Sequence, residues 1–200
     1  MLNAIFARHG ESEFSVRGLV SGDPLAAGGG LTEAGRGQAR ALGRALAPEP
    51  VDLCVSSEFL RARETADVAL EGRDVPRIVL PELNDIRIGD FEGRTLDEYR
   101  QWVRHHDPTA ESPGGGESRA AASLRYAAAF RWILARPERT ILVVAHSLPV
   151  RYALIAAEDR NPSAVVELVE YAVAHRLSRA ELERAATRLE AWAAAPVFAR

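Results

Sequence analysis

Four short apolar runs, separated by longer stretches with helical periodicity, constrain the fold of this chain most strongly. We predict strands at residues 2–7, 51–55, 77–80 and 140–145. Their side chains are continuously apolar or β-branched rather than alternating, which is typical of strands covered on both faces. Strands that alternate with helices predict an α/β fold, a three-layer α/β/α sandwich with a mostly parallel central sheet.

The stretches between these runs carry helix-start signals. Thr95 with Glu98 and Ser178 with Glu181 form capping-box patterns, in which each pair satisfies free N–H groups of a first helical turn. Ser57 is a further candidate N-cap. We predict one helix after Thr95 and others over residues 32–47, 57–70, 117–136, 149–158 and 178–193. An additional strand is expected within residues 164–174, where Val and Leu are frequent.

The composition argues against several classes of protein. The chain has 200 residues, enough for a core, and we expect residues 1–200 to form one domain. A formal net charge of −3 gives no electrostatic reason to expect nucleic acid or an anionic membrane as partner. The sequence shows no signal-peptide pattern and no apolar run of about 18 residues, so a cytoplasmic protein is the default expectation.

Basic side chains stand where the predicted strands end. Arg8 and His9 follow the first run, and His146 follows the fourth run and directly precedes a helix. Arg61 falls in the early turns of the helix after the second run. In open α/β sheets, ligands bind at the carboxyl ends of the strands. Two arginines, two histidines and the N–H groups of a helix N-terminus together describe a phosphate site.

Each of these residues also has a purely structural interpretation. Taken alone, Arg61 is more typical of a surface charge, and His146 of a core histidine bonded to the backbone. The pair Arg8-His9 is by itself a weak signal. The phosphate-site hypothesis therefore depends on their joint occurrence at strand ends.

Five segments resemble, in order, the motifs of one known family, the histidine phosphatase or phosphoglycerate mutase-like superfamily. They are Arg8-His9-Gly10-Glu11-Ser12, residues 56–66, residues 83–93, Gly116-Glu117-Ser118 and residues 145–151. The resemblance covers residues 3–155 and implies a phosphoglycerate mutase-like fold. Residues 161–195 carry none of these motifs, and we expect them to pack on the rest as a strand and a helix, with a dimer contact as the alternative.

The resemblance implies phosphoryl transfer through a covalent phosphohistidine. By motif, His9 is the nucleophile, and a backbone carbonyl is expected to hold its other ring nitrogen. Arg8, Arg61 and His146 would surround the phosphoryl oxygens and stabilise charge. A cluster of cations of this kind implies no metal and no other cofactor.

The proton donor to the leaving group is the assignment with the least support. The position at which the family usually has glutamate falls on Asp85, a shorter carboxyl. Glu82, three residues earlier, is the alternative donor. A turn or capping role for Asp85 is a serious competitor to the catalytic one.

The substrate is constrained less than the chemistry. We assign substrate binding to Ser15, Ser21, Gly22 and Ser147, and the hydroxyl of Ser147 is expected to cap the helix that follows. Segments 13–30 and 95–117 are expected to line the substrate. Within them, the loops at residues 21–30 and 105–117 are candidate lids, with a plain surface connection as the alternative for each.

Residues 84–89 lack the His-Tyr pair of mutases, which favours hydrolysis. We expect a phosphatase for a small phosphorylated metabolite or a phosphoprotein, with no nucleic-acid or membrane partner. A mutase and a weakly catalytic phosphate-binding protein are the alternatives. The oligomeric state is open, with a homodimer among the options.

Overall fold

The computed structural model describes residues 3–24 and 29–199, which contain a five-stranded sheet. The strands are β1 Asn3–Arg8, β2 Leu53–Ser56, β3 Arg77–Val79, β4 Thr140–Ala145 and β5 His175–Ser178. Their order across the sheet is β3-β2-β4-β1-β5. The first four strands are parallel, and β5 pairs antiparallel with β1. The prediction of a mostly parallel central sheet is confirmed.

Helices follow or precede each strand. They are α1 Glu13–Val16, α2 Glu33–Ala45, α3 Leu60–Ala69, α4 Leu96–Arg104, α5 Arg119–Leu134, α6 Ser147–Ala157 and α7 Arg179–Ala194. Two single 3₁₀ turns, Pro81–Leu83 and Gly89–Phe91, lie between β3 and α4. Within residues 3–24 and 29–199, no helix is long and apolar enough to cross a membrane.

Successive residues of the central strands enter two separate cores. Phe6 and Val143 pack with side chains of α5, α6 and α7, whereas Ile5 and Val144 pack with side chains of α2 and α3. The split follows from strand geometry, because neighbouring side chains point to opposite faces of a sheet. Helices therefore cover both faces, and the predicted three-layer α/β/α sandwich is confirmed.

Most predicted helix starts agree with the structure. Both capping boxes form, at Thr95 with Glu98 and at Ser178 with Glu181. The prediction for Ser57 is wrong, because α3 begins three residues later, after Phe59, without a side-chain cap. The hydroxyl of Ser57 bonds to another side chain instead. The helix predicted from residue 149 begins earlier, at Ser147.

The strand predicted within residues 164–174 is also wrong. Apart from an isolated bridge between Arg8 and Tyr171, this segment is irregular, and the fifth strand is the following segment, His175–Ser178. That strand lies at the sheet edge and buries only Leu177, so it lacks the apolar run that marked the central strands. The helix predicted after it is confirmed, and α7 packs into the core through Leu182, Leu189 and Trp192. Within the predicted segments, Leu2 and residues 25–28 lie outside the described ranges.

Candidate active site

The basic residues predicted at strand ends come together at one edge of the sheet. Arg8 ends β1, Arg61 lies in the first turn of α3, and His146 is the N-cap of α6. Arg8, His9 and Arg61 line a cavity of about 220 Å³. His146 is fully buried behind Arg61, and its ring centroid lies 5.2 Å from that of His9. The sheet topology thus gathers four residues that are up to 138 positions apart in the chain.

The hydrogen bonds of His9 leave one ring nitrogen with a lone pair. Its Nδ1 lies 2.7 Å from the carbonyl oxygen of Gly10, so Nδ1 carries the proton and donates it there. Its Nε2 accepts a bond of 3.1 Å from Nε of Arg61. Burial, with the charges of Arg61 and Arg8, lowers the pKa of His9 well below its ordinary value. His9 is therefore neutral at pH 7, with Nε2 available as a nucleophile.

The loop that carries His9 is fixed by a close approach to α2 and α3. The N–H of Gly10 donates to the hydroxyl of Thr65 at 2.9 Å, and that hydroxyl donates to the carbonyl of Arg61 at 2.7 Å. A Cβ on Gly10 would lie 2.6 Å from the carbonyl oxygen of Gly35. Only glycine fits there. The Thr65 hydroxyl, which bonds to both Gly10 and Arg61, couples the position of His9 to that of Arg61.

Ser57, which sequence reasoning treated as a helix cap, orients His146 instead. Its hydroxyl oxygen lies 2.8 Å from Nε2 of His146. A guanidinium group can only donate, so the contact of 3.3 Å from Arg61 makes Nδ1 of His146 the acceptor. The proton is then on Nε2 and is donated to Ser57. Burial, then the charge of Arg61, lowers the pKa of His146 well below its ordinary value.

We expect Ser57→Ala to lower the turnover number about tenfold, because it leaves a buried imidazole N–H unpaired and frees the ring to rotate. The loss should be mainly in kcat rather than KM, and Ser57→Thr should restore part of it. Ser56→Ala, one residue earlier in β2, is the matched control. Equal losses in Ser56→Ala and Ser57→Ala, measured with the thermal midpoint of each variant, would instead assign Ser57 a packing role.

Arg8 is held by the irregular C-terminal segment for which the sequence gave no motif. Its Nη1 donates to the carbonyl of Val169 at 2.9 Å, and its guanidinium carbon lies 3.9 Å from the centre of the Tyr171 ring. The N–H of Ala172 donates to the carbonyl of Arg8 at 2.9 Å. Tyr171 also lines the cavity. Sequence reasoning missed these contacts, which span more than 160 residues and leave no local pattern.

The structure separates the two candidate proton donors. Asp85 lines the cavity, with one carboxylate oxygen 3.8 Å from Nδ1 of His146 and the other accepting the N–H of Ile86 at 3.0 Å. Burial raises the pKa of Asp85, and the charge of Arg61 opposes that shift. Glu82 lies outside the cavity lining, in the 3₁₀ turn that precedes this loop. The placement favours Asp85.

A partly buried ion pair positions the Asp85 loop. Arg125 of α5 binds the carboxylate of Glu117 through two of its nitrogens, at 2.6 and 3.0 Å. The same guanidinium donates to the backbone carbonyls of Glu82, Asn84 and Asp85. The segment Gly116-Glu117-Ser118, singled out in the sequence, thus reaches the site through Arg125.

The cavity is also lined by the four residues predicted to bind substrate, Ser15, Ser21, Gly22 and Ser147. Some of their polar groups are engaged within the protein. The N–H of Gly22 donates to Glu92 at 2.7 Å, and the hydroxyl of Ser147 accepts the N–H of Val169 at 2.9 Å. Ser147 therefore does not cap α6 as expected, since the helix begins at Ser147 itself. The hydroxyl of Ser21 has no partner among the described residues.

Apolar side chains form much of the remaining wall, among them Val20, Ile86, Ile88, Leu96, Val166 and Leu168. Within residues 3–24 and 29–199, no group of three or more His, Cys, Asp or Glu side chains is placed to hold a metal ion. The site therefore combines a cationic floor formed by Arg8 and Arg61, the carboxyl group of Asp85 and this apolar wall.

The two histidines and two arginines at the strand ends of an α/β sandwich agree with the family resemblance noted in the sequence. The model of the histidine phosphatase superfamily (branch 1) matches residues 4–195. The chain belongs to this superfamily.

Similar proteins include phosphatases and mutases. The adenosylcobalamin/alpha-ribazole phosphatase of Salmonella typhimurium is 52% identical over 87 residues, which are 44% of this chain and 42% of that protein. The chain thus spans less than half of that relative. A 2,3-bisphosphoglycerate-dependent phosphoglycerate mutase of Methylobacterium sp. is 36% identical over 78% of this chain and 79% of that one. The crystal structure of the alpha-ribazole phosphatase from Shigella flexneri matches with a TM-score of 0.74 and 28% identity, over 88% and 89% of the two chains. The phosphoglycerate mutase-like fold is therefore confirmed.

Proposed function

We propose that this protein is a metal-independent phosphatase that hydrolyses a phosphomonoester through a phosphohistidine on His9. The observation that carries the proposal is the state of His9. Its Nδ1 proton is held by Gly10, and its Nε2 lone pair accepts the N–H of Arg61 in a cavity that Arg8 also lines. A neutral imidazole oriented in this way is an activated nucleophile.

In the first step, Nε2 of His9 attacks phosphorus and forms a P–N bond as the P–O bond of the ester breaks. Arg8 and Arg61 stabilise the charge on the phosphoryl oxygens, and His146 acts beside Arg61, to which it is bonded. The electron pair of the broken bond goes to the leaving oxygen. That oxygen takes a proton from the carboxyl group of Asp85, whose raised pKa suits it to the role of acid.

In the second step, water attacks the phosphohistidine. The Asp85 carboxylate accepts a proton from the water as its oxygen bonds to phosphorus. The P–N bond breaks, its electron pair returns to Nε2, and inorganic phosphate leaves. Both groups end in the state in which they began, so the cycle is complete.

The wall of the cavity supports one substrate class over the other. Beyond the cationic floor, the lining is largely apolar, which fits a small phosphorylated metabolite better than a phosphoprotein. The similar proteins named above include both phosphatases and a mutase. The absent His-Tyr pair in residues 84–89 favours hydrolysis over transfer back to a bound intermediate.

We expect the purified protein to hydrolyse p-nitrophenyl phosphate at the same rate with and without EDTA, because arginines rather than a metal stabilise the transferred group. Rapid quenching during turnover should trap a phosphoenzyme that survives alkali and decays in acid, as a phosphoramidate does. A rate abolished by EDTA, or no trapped intermediate, would contradict the mechanism. Isomerisation of 3-phosphoglycerate faster than its hydrolysis would establish the mutase instead.

A further inference from the structure

Arg119 is a buried cation in the wall of the active-site cavity that the proposed mechanism does not use. It is the first residue of α5, exposes 7% of its surface and lines the cavity near Tyr99. Its contacts are with Tyr99 and Tyr152, whereas His9 bonds to Gly10 and Arg61, so Arg119 lies outside the cluster around His9. Arg119 belongs to none of the five motifs.

The surroundings of Arg119 do not balance its charge. Its Nη1 donates to the hydroxyl of Tyr152 at 3.3 Å, and its guanidinium carbon lies 5.6 Å from the centre of the Tyr99 ring. Its Nε is buried and has no hydrogen-bond partner among the described residues. Phenols are neutral at pH 7, so these contacts supply no negative charge.

Two features make this position costly for a cation. Taking a charge out of water is expensive unless a counter-charge compensates it. In addition, the first turn of a helix carries a partial positive charge that disfavours a cation. Arg125, six residues further along α5, shows the usual solution, because it binds Glu117 at 2.6 Å. No ion pair to Arg119 exists within the described ranges.

Arg8 shares this pattern at the phosphate end of the cavity. It is 8% exposed, its Nε also lacks a partner, and it stacks on a tyrosine, Tyr171. Under the proposed function, an arriving phosphoryl group completes the environment of Arg8. The same physical reasoning applies to Arg119, since an unbalanced buried guanidinium at a cavity wall selects an anion from the ligand.

We propose that Arg119 forms a second anion subsite, so that the preferred substrate is a phosphomonoester with a further carboxylate or phosphate group. This inference rests on the proposed function, because it takes the group that reacts to be the one over His9. The reacting phosphoryl group binds at Arg8 and Arg61, and the second anion binds at Arg119. The apolar wall lies against the carbon skeleton between them.

The test compares ester pairs that differ in the second group. One arm uses 4-carboxyphenyl phosphate against 4-(hydroxymethyl)phenyl phosphate, and the other uses fructose 1,6-bisphosphate against fructose 6-phosphate. The wild type should prefer the anionic member in at least one arm, which identifies the anion. Arg119→Met should lower that ratio of kcat/KM about tenfold or more, with little change for p-nitrophenyl phosphate. Arg131→Met, at a half-exposed position on the same helix that is ion-paired with Glu190, should leave the ratio unchanged.

Two further measurements separate the possible failures. Binding of 4-carboxyphenylphosphonate and phenylphosphonate, which cannot be hydrolysed, reports the subsite without turnover. If the wild type hydrolyses no ester but binds the carboxylate tighter through Arg119, the proposed function fails and the subsite stands. If Arg119→Met changes both members of every pair equally, the subsite is wrong. The thermal midpoint should hold or rise in Arg119→Met, because an uncompensated charge is removed; a large fall would make Arg119 structural.

Discussion

Replacing His9 with alanine should lower kcat for p-nitrophenyl phosphate by a factor on the order of 10⁴ or more. The covalent route requires a neutral lone pair at the cavity floor, and Nε2 of His9 supplies it. His146 cannot substitute, since its ring is fully buried and lies outside the cavity lining, whereas His9 lines the cavity. The measurement is steady-state turnover together with trapping of the phosphoenzyme, which should disappear completely.

The control for this loss is His106→Ala. That ring is exposed and stacks on Trp102, away from the cavity, so turnover should stay near that of the wild type. His9→Ala should still bind inorganic phosphate, because Arg8 and Arg61 remain in place. Turnover of His9→Ala at the wild-type rate would assign the nucleophile to another group and overturn the mechanism.

The strand-end residues could be predicted from the sequence because local pattern and topology agree there. A buried parallel strand is marked by an apolar run, and the residue that ends the run is fixed at the carboxyl edge of the sheet. Arg8, His9 and His146 all follow this rule, and Arg61 follows it one helical turn later. The residue types and their order therefore predict a cationic cluster at this edge of the sheet.

Residues whose positions depend on tertiary contacts could not be predicted in this way. Ser57 has the side chain of an N-cap, but Phe59 starts the helix, and the Ser57 hydroxyl meets a histidine 89 positions away. Residues 164–174 have strand-like composition, yet the backbone of Val169 bonds to the side chains of Ser147 and Arg8. Among the described residues, pairing of this segment with β1 is limited to the isolated bridge between Tyr171 and Arg8. Such bonds satisfy the backbone without a periodic pattern, and periodicity is what sequence reasoning detects.

The second large effect is expected from Asp85→Asn, which should lower kcat/KM for an alkyl phosphate by about 10²–10⁴-fold. The value of kcat/KM reports the first phosphoryl transfer, in which the leaving alkoxide must be protonated. An amide cannot supply that proton. The loss should be much smaller for p-nitrophenyl phosphate, because nitrophenolate leaves without protonation. Glu82→Gln is the matched control and should leave both values unchanged, since Glu82 lies outside the cavity lining.

The pH dependence gives this assignment a signature that a positioning role would not produce. Burial raises the pKa of Asp85 above its ordinary value of 3.8, so its carboxyl stays protonated to higher pH. As pH rises through that pKa, the acid is lost and kcat/KM for the alkyl phosphate should fall. This descending limb of the pH profile should disappear in Asp85→Asn. The profile of the same variant for p-nitrophenyl phosphate should keep the wild-type shape. If the limb persists in Asp85→Asn and disappears in Glu82→Gln, then Glu82 is the proton donor and the loop between them must rearrange when substrate binds.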